Sequence, residues 1–497
     1  MPRLAPSLFR RAGRISPHLA TLLPACRTIE SAQSELRWIR GHVLDSLPEP
    51  GSRQTTKRNP SSSDRRSRSS HDAVERRVAR LVARRGAGEP LQYVLGTQPF
   101  GDLDILCEKG VLIPRPETEA WVATLADLAL LSPSSSSSSR ARIDDGEGEE
   151  RRILDLCSGT GCIGLSLYAH GMPSRLRQRA VKWEDQEMTT EQSRGPALRV
   201  FGFDVEPRAV RLGRKNLRRN FHGPRPSEST HGGIVEDVEK AVTFERADIF
   251  SDEWMASLDD DNNNNDNNNS NDNDNDNPPA YEDEDKGKHP RPRRRVIDIL
   301  VSNPPYISQR GFETNTGRNV RNYEPKLALV PSPSPSPSPS PSPSPSPTTR
   351  FPEDIFYTRL LEITDTVRPR IVAFEVGDMA QAIRVVEMAI APRHQPDPDY
   401  NTKREEGEDG NGARWDVVEI WRDWPDCAPS DGAEEAEEDI FTICGRKVPV
   451  RGSGHGRVVF LSEGPITRNR FTNRGFRRAF YHMGQYSSFR LEPVKTS

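Results

Sequence analysis

The stretch "RILDLCSGTGCIGLSLYAH", residues 152–170, changes character twice in nineteen positions. RILDLC is a short apolar run of strand type. SGTG is a tight, small-residue turn, and CIGLSLYAH has the composition of a helix. Within it GTGCIG places Gly159, Gly161 and Gly164 in a GxGxxG pattern between a strand and a helix. Glycines there let the backbone approach a ligand, and the N-terminus of the following helix offers free N–H groups. The pattern alone serves a dinucleotide, S-adenosylmethionine or a plain tight turn equally well.

The same unit recurs along the chain. LRVFGFD (198–204) is a second apolar run, after which Pro207 opens a helix to about Asn220. AVTFERAD (241–248) is a third and VIDILVSN (296–303) a fourth. RIVAFEVG (370–377) is a fifth, with Asp378 as the cap of the helix DMAQAIRVVEMAI. Strands alternating with helices in this way predict a doubly wound α/β sheet whose strands are buried on both faces. WDVVEIW (415–421) and DIFTICGR (439–446) are expected to close it as a terminal antiparallel pair. Upstream, DAVERRVARLVARR (72–85) sets Val74, Val78, Leu81 and Val82 on one helical face. Asp72 with Glu75 resembles a capping box there, and Gly86 is the expected stop. Together with the helical stretch around 30–46 it predicts a small N-terminal helical unit.

Between these elements lie low-complexity tracts: an Arg/Ser-rich segment (51–70), a Ser run (134–139), an Asn/Asp tract (259–277), a Pro-Ser repeat (331–347) and acidic runs (404–409 and 431–439). Such compositions cannot bury enough apolar surface to offset ordering, so these long inserts are expected to be disordered. They account for a hydrophobic content of only 33% and a mean hydropathy of -0.75 in a chain of 497 residues. What remains suits one α/β domain and a small helical one. A net charge of -3 gives no global electrostatic case for a nucleic-acid binder. No apolar run approaches the ~18–20 residues that a membrane span requires. The six cysteines (26, 107, 157, 162, 427 and 444) include no CxxC pair, so they read as reduced thiols and no metal site is expected.

The strand ends carry the chemistry. Asp204, closing the second strand, is placed to accept hydrogen bonds from ribose hydroxyls, and Asp248, closing the third, to face an adenine amino group. The fourth strand runs into Asn303-Pro304-Pro305-Tyr306. Neither proline can donate a backbone hydrogen bond, so the strand stops on a stiff corner bearing an amide, free carbonyls and an aromatic face. A dehydrogenase has no use for that corner. Methylation of an amide or exocyclic amine does, because the acceptor lone pair is delocalised and needs help. Asn303 Oδ1 and the Pro304 carbonyl could take its two N–H hydrogens, turning the nitrogen toward a sulfonium methyl, while Tyr306 gives the acceptor a flat contact.

VLIPRPETE (111–119), LDLCSGTGCIGLSL (154–167), DVEPRAV (204–210), VSNPPYI (301–307) and RNYEPKLAL (321–329) follow one another in the order found in release-factor glutamine N5-methyltransferases of the HemK/PrmC type. The chain resembles that family over roughly 72–125, 151–170, 198–250, 296–330 and 351–446. The resemblance implies a seven-stranded, Rossmann-like class I methyltransferase sheet and S-adenosylmethionine as cofactor. It implies that Cys157, Ser158, Gly159, Thr160 and Gly161 line the cofactor's methionine end, Asp204 its ribose, and Asp248 with Ile249 its adenine. Asn303 lies at the boundary with the substrate, and Asn303, Pro304, Pro305 and Tyr306 clamp the acceptor glutamine. The substrate implied is the Gly-Gly-Gln loop of a mitochondrial peptide-chain release factor. Two positions depart from the family: Cys157 stands where glycine is usual, and the Pro-Ser repeat replaces a compact loop after YEP-x-x-AL.

Residues 1–29 hold five arginines and no acid, the composition of a mitochondrial transit peptide. The expected organisation is a leader over 1–30, a helical substrate-recognition domain over 31–100, the methyltransferase domain over 101–446, and a C-terminal extension over 447–497 that fits no further unit. A matrix-located monomer with no stable nucleic-acid partner and no membrane association follows from this reading. A DNA or RNA exocyclic amino-group methyltransferase is the alternative, since NPPY is shared with enzymes of that kind. A catalytically dead methyltransferase fold serving as a binding partner is disfavoured by the intact Asn303-Pro-Pro-Tyr and Asp204.

Overall fold

The structure, a computed structural model, describes residues 4–47, 63–130, 150–172, 198–221, 238–258, 297–332, 351–391, 414–426 and 439–464. The Ser run, the Asn/Asp tract and the run 404–409 lie outside these residues, as do nearly all of the Pro-Ser repeat and of the second acidic run. So does the rest of the chain beyond residue 464.

The N-terminal unit is built from four helices, α1 (Pro6–Ile15), α2 (Pro17–Cys26), α3 (Ile29–Asp45) and α4 (Ser63–Gly86). Ser16 and Thr28 accept from the backbone N–H groups of His18 and Ser31, capping α2 and α3 and setting the sharp turns between them. Ala12, Leu19, Leu22, Leu23 and Cys26 are buried against Ile29, Leu36, Ile39 and Val43 of α3 and Val78, Leu81 and Val82 of α4. Burying each larger side chain stabilises the unit by about 1.5–3 kcal/mol. A bidentate ion pair, Arg85 to Glu35 at 2.6 and 2.9 Å, joins α4 to α3 inside it. This corrects the expected organisation. The helical unit starts at residue 6, not 31, and a leader cut near residue 30 would remove Ala12, Leu19, Leu22, Leu23, Cys26 and Ile29 from its buried core. Helix α4 also starts nine residues before Asp72, so the capping box expected there does not form. Its end at Gly86 is as expected.

A short helix, α5 (Leu91–Leu95), and a hairpin of β1 (Thr97–Phe100) and β2 (Leu103–Leu106) lead into α6 (Pro116–Ala129). The main sheet then takes β3 (Arg151–Leu156), β4 (Leu198–Asp204), β5 (Val242–Arg246), β6 (Ile299–Ser302), β7 (Ile371–Glu375), β8 (Val417–Trp424), β9 (Asp439–Ile443), β10 (Arg446–Arg451) and β11 (Ser453–Ser462). Their spatial order is β5-β4-β3-β6-β7-β11-β8-β10-β9. The first five are mutually parallel, and the fold is the α/β, doubly wound sheet expected. Helices α6, α7 (Cys162–Gly171) and α8 (Pro207–Phe221) cover one face, and α11 (Ile355–Val367) and α12 (Met379–Ile390) the other. Between them, α9 (Gln309–Thr314) and α10 (Arg318–Tyr323) follow β6. Ile153, Leu154 and Leu156 of β3 are all fully buried, which is why this strand reads as a continuous apolar run rather than an alternating one.

The C-terminal part differs from expectation. β8 and β9 do not pair with each other. β11 inserts antiparallel between β7 and β8, so that a seven-stranded sheet is completed by residues past 446, and β10 and β9 extend its edge to nine strands. Val458, Val459, Phe460 and Leu461 of β11 are buried on both faces. The domain therefore runs at least to Ser462, not to 446.

Candidate active site

Because β3 through β7 are parallel, Leu156, Asp204, Arg246, Ser302 and Glu375 all end at one edge of the sheet. Chain order runs outward from β3 in opposite directions, to β4 on one side and β6 on the other. The loops after β3 and β6 therefore diverge and leave a crevice, the usual ligand position in an open α/β sheet. The register pairs Leu156 with Ser302, and Ser302 Oγ donates to the Leu156 carbonyl at 2.8 Å. Cys157 and Asn303 thus leave the sheet side by side.

The turn after β3 is held open by backbone geometry. Cys157, Gly159 and Gly161 have φ of 60, 56 and 78°, all in the left-handed region. At Gly161 a side chain would also meet the Phe244 ring at 2.6 Å, so two constraints require glycine there. Over Gly159 a Cβ would meet nothing within 4 Å, which leaves the turn's backbone open to a ligand. Asp204 braces the turn: its Oδ2 accepts from Gly159 N at 2.9 Å and its Oδ1 from Glu206 N at 2.9 Å. Burial raises the Asp204 carboxyl above its ordinary range, and those two backbone donors partly oppose the shift. Ser158 Oγ is buried with no hydrogen-bond partner among the described residues. Open space above the turn, a carboxylate beside it and an unpaired hydroxyl suit a ligand bearing hydroxyl and amino groups, and the residues fit S-adenosylmethionine.

One strand further out, the Ala247 N–H donates to the Asp204 carbonyl at 3.0 Å, tying the ends of β4 and β5. Asp248 Oδ1 accepts from Phe250 N at 3.0 Å, and the buried Ile249 holds Arg359 through its carbonyl at 2.7 Å. On the other side of the crevice Pro304 and Pro305 are buried, whereas Asn303 and Tyr306 are half-buried. The Asn303 side-chain amide makes no hydrogen bond among the described residues. Tyr306 donates its hydroxyl to Glu375 Oε1 at 3.2 Å. Ile307 N donates to the Leu329 carbonyl at 2.8 Å, which closes the segment 307–329 into a loop.

Two segments of the sequence, RNYEPKLAL and VLIPRPETE, meet at this loop. Glu324 of the first is buried, accepting from Arg115 at 2.7 Å and from Ile113 N at 3.2 Å, both in the second. Sequence reasoning did not single out Glu324 or Arg115, although both stand in those segments. Nothing local marks Glu375 either. It sits in the apolar strand RIVAFEVG, where the one acid in a buried run was the available signal. Among the described residues no cluster of His, Cys, Asp or Glu could hold a metal ion, and no helix is long and apolar enough to cross a membrane. Cys26, Cys107, Cys157, Cys162 and Cys444 are free thiols, and burial pushes the Cys157 thiol up, which keeps it protonated.

No family model matches the chain. The mitochondrial MRF1 N(5)-glutamine methyltransferase MTQ1 of Saccharomyces cerevisiae is 29% identical over 330 residues, 66% of this chain and 68% of that protein. The probable MRF1 mitochondrial N(5)-glutamine methyltransferase of Schizosaccharomyces pombe is 27% identical over 322 residues, 64% of this chain and 70% of its own. A release factor glutamine methyltransferase of Vibrio cholerae is 28% identical over 250 residues, half of this chain and 53% of the bacterial one. Among solved structures, the hMettl16 catalytic domain in complex with an RNA hairpin covers 78% of this chain and 83% of its own at a TM-score of 0.33 and 11% identity.

Proposed function

We infer that this chain, which belongs to the release factor glutamine methyltransferase family, methylates the glutamine of the Gly-Gly-Gln motif in a mitochondrial peptide-chain release factor. S-adenosylmethionine, when bound, supplies an electrophilic methyl group on a sulfonium. The chain's own residues hold and orient the two partners. The Cys157–Gly161 turn takes the methionine end, Asp204 accepts from the ribose hydroxyls through the lone pairs its backbone donors leave, and Asp248 and Ile249 flank the adenine. Asn303 Oδ1 and the Pro304 carbonyl accept the two N–H groups of the glutamine amide, with Pro305 and Tyr306 walling the pocket. Transfer of the methyl to the amide nitrogen would release a thioether and place positive charge on that nitrogen, which would then give up one of its two N–H protons to solvent. The bonds to Asn303 Oδ1 and the Pro304 carbonyl would strengthen as the charge develops and so favour the transition state over the bound ground state.

The observation that carries this reading is the pairing of the open Gly159 turn with the Asn303 corner on adjacent strands at the crevice. Localisation is mitochondrial by the yeast relatives. A matrix-located monomer with no stable nucleic-acid or membrane partner is the finer proposal.

Incubating the full chain with labelled cofactor and a release factor tests the reaction. Label is expected on the release factor and not on a variant whose Gly-Gly-Gln glutamine is replaced. Asn303→Ala should lower saturated turnover by ~10²–10³, the scale for losing one oriented polar partner in a transition state. Near-normal turnover would remove Asn303 from the mechanism. Label on DNA or RNA with none on the release factor would assign the site to nucleic-acid amino groups instead.

A further inference from the structure

We propose that Glu375 is a positioning residue that sets the orientation of the Tyr306 ring, and through it the shape of the acceptor pocket. The proposal rests on the glutamine-methylation reading given above. Glu375 closes β7 on the strand next to the one that carries Asn303, and is 1% exposed. Its Oε2 accepts from Thr118 Oγ1 at 2.7 Å and Trp121 Nε1 at 2.9 Å, both on α6. With that oxygen occupied, Oε1 faces the Tyr306 hydroxyl at 3.2 Å. A carboxylate so tethered from one side offers a fixed acceptor to the other.

The rest of Tyr306 is held by the residues that follow Glu375. A Cβ on Gly377 would lie 3.1 Å from Tyr306 Cδ2, so the ring packs directly on bare backbone. Gln381 takes the Gly377 N–H at 2.8 Å and turns its own amide toward the Tyr306 carbonyl at 3.4 Å and Asp354 at 2.9 Å. Arg384 pairs with Asp354 at 2.9 Å and fixes that end. Hydroxyl, ring and carbonyl of one residue are therefore each met by the segment 375–381. Burial pushes the Glu375 carboxyl above its ordinary range, while the Arg457 charge and the Trp121 and Thr118 donors pull it back. Arg457 is itself buried and paired with Asp423 at 2.7 Å.

A bond between α6 and β7 would explain Glu375 as a mere structural tie, so the experiment separates that role from positioning. Glu375→Gln, Tyr306→Phe and the double variant are assayed as full chains with release factor as substrate. Each folded single variant should lose about tenfold in kcat/KM for the release factor, the scale of one net hydrogen bond, and the double should be no worse than the worse single. Cofactor affinity by calorimetry should be unchanged in Tyr306→Phe. Thr118→Ala, which leaves the Trp121 Nε1 donor on Oε2, should keep most of the activity.

Additive losses in the double variant would overturn the proposal. If Glu375→Gln does not fold, Tyr306→Phe alone decides. A tenfold loss at unchanged melting temperature supports the bond, and full activity overturns it. Failure of the parent to label any release factor would count against the functional reading. The same cycle, run on whichever substrate is labelled, still measures the coupling of Glu375 to Tyr306.

Discussion

At the scale of single residues, the turn after β3 holds Cys157 at some cost. Cys157 sits at φ 60°, where an L side chain is strained by roughly 1–2 kcal/mol, and its neighbours Gly159 and Gly161 share that region without penalty. A second strained group lies two residues earlier. Asp155 is fully buried, and its carboxyl is pushed up to about 7 from 3.8, chiefly by burial, with the Gly164 N–H at 3.0 Å opposing and the Asp204 charge adding to the shift. Its Oδ1 has no partner among the described residues. Between these two values the folded protein holds a proton that the unfolded chain has lost. The contribution is complete below the unfolded value and is lost as pH rises through about 7. Asp155→Asn, neutral at every pH, should flatten the stability profile over that window and leave the cofactor-free protein more stable than the parent near pH 8. A tenfold difference in proton affinity between folded and unfolded states is worth about 1.4 kcal/mol. Urea unfolding of both proteins near pH 5 and pH 8 measures it. Parallel profiles would show that Asp155 ionises without penalty.

At the scale of elements, the contact between α2 and α4 is the most sharply defined in the N-terminal unit. A Cβ on Gly86 would lie 2.3 Å from the Thr21 carbonyl oxygen, which is backbone and cannot swing away. Gly86→Ala should therefore push α2 off α4 and destabilise the unit by about 1–3 kcal/mol, the range for overpacking a close contact. Thermal melting of the full chain checks this, and an unchanged transition would mean that the helices separate freely. Glycine was legible at position 86 as a helix stop, but not as a helix contact, because the partner lies 65 residues away. β11 teaches the same lesson from the other direction. RVVFLS is an apolar run of the same kind as the strands earlier in the chain. It follows a hairpin rather than a helix, so a reading based on alternating strands and helices passes over it. Its place between β7 and β8 comes from pairing with Val372–Phe374 on one side and Val418–Trp421 on the other.

At the scale of the whole molecule, the leader-like N-terminus has two demands on it. Arg10, Arg11 and Arg14 of α1 are exposed while Ala12 is buried, so the segment is an amphipathic helix that the fold has already used. We expect residues 1–40 fused to a fluorescent reporter to carry it to mitochondria, and the native enzyme recovered from mitochondria to retain residues 6–26. Intact-mass measurement reads the second directly, and a mature start near residue 30 would show that the N-terminal unit rebuilds without α1 and α2. Much of this protein could be read from local pattern. The apolar runs, the glycine turn, Asp204 at the end of β4 and the proline corner after β6 declare themselves as elements because each depends on the chemistry of a few consecutive residues, whereas Asp248 lies two residues past the end of β5. Proline cannot pair in a sheet, glycine tolerates positive φ, and an acid ends a buried strand where solvent begins. The Asp204–Gly159 brace, the Glu324–Arg115 link, the Glu375 tether behind Tyr306 and the insertion of β11 required the folded chain. Each joins segments that are distant in the chain, from 29 residues between Ser453 and Trp424 upward, and such a contact forms only when packing brings them together; neither segment carries a local trace of the other.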